Sequence, residues 1–186
     1  MNKSNIDHLD TAIKNGFDTR VIHPNSNYPN KYIVAGFPGT GKSFAGKYFP
    51  HEFIDMESSD YHWIHINGIT GKVCHPDWPN NYLDAVEKAY NETMDPAISI
   101  LCICTSTHAE VLKGLHERGL KFIAICPKDK EETIRRYKER GSSEAFIENL
   151  TKNFDNFRND VLNSPADMVI CTDQYVSDVM SYFAEC

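Results

Sequence analysis

Eight residues narrow the possible folds more than any other feature of the chain. Gly36-Phe37-Pro38-Gly39-Thr40-Gly41-Lys42-Ser43 follows the apolar run 31–35 and precedes residues 43–49, which have helix-forming character. A strand that ends in a glycine-rich turn and opens directly into a helix is half of a βαβ unit. Glycines let such a turn curl until successive backbone N–H groups point inward, and the helix adds its positive N-terminal end. The chemistry expected there is phosphate binding, with Gly36, Pro38, Gly39, Thr40, Gly41, Lys42, Ser43 and Phe44 as the contacting residues. Lys42 is expected to reach the β- and γ-phosphates of a nucleoside triphosphate. The Ser43 hydroxyl is expected to ligate Mg²⁺.

The rest of the chain repeats the alternation. Strands are expected at 31–35, 52–56, 97–105, 121–126 and 167–171. Helices are expected at 43–49, 81–94, 108–118, 131–139, 143–162 and 175–183. In 143–162 the apolar residues Phe146, Ile147, Leu150, Phe154, Phe157 and Val161 recur at three- and four-residue steps, which gives one apolar stripe. Five strands alternating with helices predict an α/β fold: a central parallel five-stranded sheet covered on both faces, hence three layers. Ligands of such sheets bind at the carboxyl ends of the strands. That edge should carry the 36–43 loop, Asp55, 105–108, 127–130 and Thr172-Asp173. Residues 1–30 read as an N-terminal extension, a short helix over 5–17 followed by a loop, and 31–186 as one domain.

Composition removes several classes. At 186 residues the chain can bury a core without staples. No run approaches the roughly 20 apolar residues of a membrane span, and no secretory h-region opens the chain. The six cysteines form no C-x-x-C pair, and four lie in apolar runs, so they are expected to be reduced core residues of a cytoplasmic protein. A net charge of −7 disfavours gripping a nucleic-acid backbone.

Among triphosphate-binding proteins, switch GTPases need an N-K-x-D, which Lys152-Asn153-Phe154-Asp155 does not supply. The third strand runs into Thr105-Ser106-Thr107-His108 without the carboxylate of motor and transporter ATPases. Small kinases tolerate that absence when a carboxylate ends the second strand, where Asp55 stands. Asp55 is expected to help hold Mg²⁺ or to accept a proton from an acceptor hydroxyl. Arg136 and Arg140 lie four apart on one helix face, within a lid segment at about 128–142, and are expected to act on the transferred phosphate. Arg135 points elsewhere. An acceptor-binding insert at about 57–95 offers Asp60, Trp63, Trp78, Asn81 and Tyr82, types suited to stacking on a base and bonding its edge. His62-x-x-His65 lacks a third ligand at recognised spacing, so no metal site is expected there.

Several strings together resemble a known group: Ala35 to Ser43, then Asp55-x-x-Ser58-Ser59-Asp60-Tyr61-x-Trp63, Trp78-Pro79-x-Asn81-Tyr82, and Arg136-Tyr137-Lys138-Glu139-Arg140-Gly141-Ser142 before Phe146-Ile147. Over about 31–186 the chain is similar to small P-loop nucleoside/nucleotide kinase-like proteins of bacteria and bacteriophages. The resemblance implies an adenylate-kinase-like fold and Mg-ATP-dependent phosphoryl transfer to a nucleoside, nucleotide or similar small acceptor. The chain departs from true adenylate kinases in ending its loop Lys42-Ser43 and in lacking a long lid insert. Two other readings stay open: a kinase acting on a polynucleotide end or modified DNA base, and an ATP-binding switch or interaction protein without phosphotransfer.

Overall fold

The computed structural model describes residues 12–13, 30–64, 72–93 and 100–184. Five parallel strands form its centre: β2 (Lys31–Gly36), β3 (Phe53–Asp55), β6 (Leu101–Thr105), β7 (Phe122–Cys126) and β8 (Met168–Cys171). Their order across the sheet is β8-β7-β2-β6-β3. A two-residue strand, β1 (Ala12–Ile13), pairs antiparallel outside β8, with Ala12 opposite Cys171 and Ile13 opposite Ile170. The expected helix over 5–17 is therefore corrected at these two residues. The edge of β8 offers unpaired ladder groups, and that pairing outweighs a weak three-residue periodicity. The rest of that helix call, and the loop call over 24–29, lie outside the described residues.

Seven helices are described: α1 (Lys42–Tyr48), α2 (Ser59–His62), α3 (Asn80–Glu92), α4 (Ala109–Glu117), α5 (Lys130–Glu139), α6 (Glu144–Leu162) and α7 (Val176–Ala184). Strand residues alternate between two cores because successive side chains point to opposite faces. Ile33, Ala35, Leu101 and Ile103 pack with α3, α4 and α6 through Leu83, Leu112 and Phe154. Tyr32, Val34, Cys102 and Cys104 pack with α1 and α7 through Ala45, Val176, Val179 and Met180. Helices thus cover both faces, as the alternation of elements predicts.

Caps set several boundaries. Asp129 accepts from the N–H groups of Glu131 (2.7 Å) and Glu132 (3.1 Å) to start α5. Ser143 does the same for α6 through Phe146 N–H. Gly119 and Gly141, both at positive φ, follow α4 and α5. The stretch 58–79 has no readable period, and there the chain forms α2 and a small antiparallel pair, β4 (Trp63–Ile64) with β5 (Val73–Cys74). Cys102, Cys104, Cys126 and Cys171 are buried and unbridged, as their apolar runs predict, while Cys74 is exposed. No helix among the described residues is long and apolar enough to cross a membrane.

Candidate functional site

β2 is the central strand, and its neighbours β6 and β7 come from later in the chain. The connection from β2 leads toward β3 on one side, and that from β7 leads to β8 on the other. A crevice opens where the connections part, at the carboxyl ends of the strands. The loop 36–43 occupies that position.

Two glycines of the loop are at positive φ, Gly39 at 84° and Gly41 at 85°. At both, a neighbour fills the space a Cβ would need. A Cβ on Gly39 would lie 2.9 Å from the Tyr137 hydroxyl, and one on Gly41 2.9 Å from Cδ1 of Tyr175. Thr40 is buried; its hydroxyl donates to the Phe37 carbonyl (2.8 Å), and its carbonyl accepts from Val176 N–H (2.8 Å). The first turn of α7 therefore pins the loop from outside.

Lys42 Nζ folds back over the loop and donates to the carbonyl of Gly36 at 2.6 Å. Burial pushes its pKa below the ordinary lysine value; nearby Asp55 and Glu57 oppose this, and Arg140 adds to it. Asp55 ends β3 opposite Cys104 of β6. It meets α1 closely, since a Cβ on Gly46 would lie 2.9 Å from the Asp55 Cβ. Its Oδ1 is buried without a hydrogen-bond partner.

Above the loop lies a cavity of about 1080 Å³. Of the expected phosphate-contacting residues, Gly36, Pro38, Gly39, Gly41, Lys42, Ser43 and Phe44 line it, while Thr40 and Asp55 stand behind the lining. Arg136 and Arg140 also line it. Arg136 is held by Glu132 (2.7 Å) and by the carbonyl of Asp173, with its guanidinium over the Tyr175 ring. Arg140 lies over the Tyr137 ring at 4.3 Å and donates to Ser142 Oγ. Arg135 pairs with Glu132 and Glu139 and is absent from the lining, as the face argument predicts. The 128–142 segment is anchored at its base, where Asp173 Oδ1 accepts from the N–H groups of Lys128 and Asp129.

Of the expected acceptor residues only Trp63 lines the cavity. Asp60 is exposed and off the lining. Tyr82 is fully buried: its hydroxyl donates to the Met56 carbonyl (2.7 Å) and accepts from Ser106 N–H (3.1 Å), tying the ends of β3 and β6 together. Asn81 donates to the Tyr61 carbonyl (2.8 Å) and accepts from Tyr82 N–H. Trp78 donates to Glu110 (2.9 Å) and stacks on His62. These three support the wall from behind. His62 itself lies between Trp63 and Trp78, and His65 lies outside the described residues. Among the described residues no group of three metal-ligating side chains converges.

Lining residues that sequence reasoning missed include Tyr137, Tyr175, Phe157, Glu110, Asp160 and Asp178. Tyr175 follows the Thr172-Asp173 edge directly, a signal that was available. Tyr137 sits between two arginines on α5, and nothing local shows that its ring turns inward.

No family model matches the chain, and no curated protein matches it significantly. The crystal structure of an uncharacterized protein from Eubacterium ventriosum ATCC 27560 is similar at a TM-score of 0.41 with 15% identity, covering 84% of this chain and 97% of that one. A likeness of that size fixes neither fold family nor function.

Proposed function

We propose that this chain is a P-loop phosphotransferase of the small nucleoside/nucleotide kinase type, transferring the γ-phosphoryl of ATP to a small hydroxyl acceptor. The observation that carries this reading is the convergence of Lys42, Arg136 and Arg140 on one cavity above a glycine loop that opens a helix. Transfer of a phosphoryl group needs positioning and charge stabilisation more than covalent chemistry, and three cations beside curled backbone N–H groups supply both.

In this reading Lys42 exchanges its contacts with the loop carbonyls for phosphate oxygens. Arg136, already oriented by Glu132 and the Asp173 carbonyl, and Arg140 bear on the transferred group. The acceptor oxygen forms a bond to the γ-phosphorus as the bond to the β-phosphate bridging oxygen breaks, and ADP leaves. Glu57, which lines the cavity, takes the hydroxyl proton. Asp55 stands off the lining, which favours cation holding over proton acceptance. The unpartnered Asp55 Oδ1 fits a hard cation, and Ser43 and Asp55 would hold Mg²⁺ there. When bound, the ion neutralises charge on the β- and γ-phosphates.

A coupled ADP-release assay with Mg-ATP tests the proposal, using nucleosides, deoxynucleoside monophosphates and single-stranded oligonucleotides as acceptors. Turnover raised by one small acceptor and lost in both Lys42→Ala and Asp55→Asn is the expected result. ATP binding with no acceptor-dependent release would instead favour a switch or interaction protein.

A further inference from the structure

The cavity is charged unevenly. Its cations, Lys42, Arg136 and Arg140, all come from the loop and α5, while Asp160 of α6 and Asp178 of α7 add two carboxylates to the lining outside the opposite wall. The opposite wall, built from residues 56–63 and 106–110, contributes no Lys or Arg to the lining. Its ionisable lining groups are Glu57, Glu110, His62 and His108. Between residues 56 and 110 the sequence holds only two cations, Lys72 and Lys88, so the undescribed residues 65–71 and 94–99 add none. Lys88 faces Glu92 along α3 and Lys72 is exposed; neither lines the cavity.

The same wall carries a stack of rings. His62 lies between Trp63 at 4.1 Å and Trp78 at 4.3 Å, with interplanar angles of 3° and 6°. His108 meets His62 and Trp78 edge-on at 5.6 Å. Crowding by these rings takes water from His108 and lowers its pKa, so it stays neutral near pH 7. Partial burial pushes the Glu110 carboxyl up, but the Trp78 indole N–H and the backbone outweigh that and hold it ionised. Trp63 ends the stack and is 37% exposed on the cavity lining.

A ring-bearing molecule can stack on such a wall, but an added phosphate meets the carboxylates of Glu57 and Glu110 and, among the described residues, no Lys or Arg to offset them. The cations do not fill the gap, because Lys42, Arg136 and Arg140 all come from the loop and α5, where in this reading they bear on the triphosphate. We infer that this wall takes a phosphate-free acceptor, a neutral or cationic ring-bearing alcohol of the nucleoside class, and rejects nucleoside monophosphates. The word acceptor rests on the phosphotransferase reading; the charge selection rests on the wall alone.

Both tryptophans of the chain sit in this stack, so intrinsic fluorescence reports its occupancy. The full chain, preloaded with Mg²⁺ and a non-hydrolysable ATP analogue, is titrated with nucleosides and their matched 5′-monophosphates, exciting at the red edge of tryptophan absorption. The expected result is that nucleosides perturb the emission and each monophosphate binds at least about tenfold more weakly. The double variant Glu57→Gln, Glu110→Gln should narrow that gap. Monophosphates binding as tightly as nucleosides, or no nucleoside perturbing the emission, would overturn the inference. The ADP-release panel is read separately: preserved selection without ADP release defeats the phosphotransferase reading alone, and release driven best by monophosphates defeats this inference alone.

Discussion

The Tyr137 hydroxyl lies 2.9 Å from the point where Gly39 would carry a Cβ, so a helix nearly a hundred residues downstream closes directly on the glycine-rich loop 36–43. Gly39 is also at φ 84°, so backbone and space both demand glycine. Gly39→Ala should cost about 1–3 kcal/mol and weaken ATP binding, read by thermal melting and by nucleotide titration. The Tyr137 hydroxyl is buried without a hydrogen-bond partner. Tyr137→Phe should therefore melt at the wild-type temperature or above it, whereas Tyr137→Ala should lose about 3–5 kcal/mol. A large loss in Tyr137→Phe would show that the hydroxyl has a partner.

Tyr82 is a second such tie. Its hydroxyl serves Met56 and Ser106 at once, at the ends of β3 and β6. Tyr82→Phe removes one oxygen and leaves both backbone groups without their partner, a cost of about 1–3 kcal/mol. Denaturant unfolding should record a lower midpoint with an unchanged slope.

Gly46, inside α1, lets that helix approach β3 closely. A Cβ there would meet the Asp55 Cβ at 2.9 Å and the Asp55 backbone nitrogen at 3.3 Å. Backbone cannot swing aside as a flexible side chain can, so Gly46→Ala should push Asp55 from its place at about 1–3 kcal/mol. Turnover should fall further than affinity for ATP without Mg²⁺; equal loss of both would point to general unfolding instead.

His108 sets a pH dependence. Desolvation lowers its folded pKa below the ordinary 6.5, with Glu110 and Glu57 opposing and His62 and Lys42 assisting. A base with a depressed folded pKa leaves the unfolded chain binding more protons, so stability rises with pH. Its contribution is complete above about pH 6.5 and is lost as pH falls from there toward the folded pKa. Melting temperature measured across that window should decline in the wild type and decline less in His108→Asn. An identical slope in both would remove His108 as the cause.

How the site was legible follows from how far apart its parts lie in the chain. The loop and its helix were readable because residues 36–43 carry their own backbone requirements within one turn. Local spacing alone puts Arg136 and Arg140 on one helix face and Arg135 off it. Asp55 was readable as the end of a short apolar strand. The aromatic wall was not. Trp78, Asn81 and Tyr82 looked like ligand-reading types, yet each side chain is engaged by partners such as Glu110, Tyr61, Met56 and Ser106, most of them far along the chain.

The strand–helix alternation, the glycine-rich turn at 36–43 and the absence of cations between residues 56 and 110 outside Lys72 and Lys88 follow from residue type and short spacing alone. Long-range packing settles the rest: β2 is central, Ala12–Ile13 joins as a strand, Tyr137 and Tyr175 close on the loop glycines, and every Lys and Arg of the cavity lining comes from the loop or α5. Those outcomes depend on which strands become neighbours, and strand order is fixed by long-range packing of two cores that no local window contains.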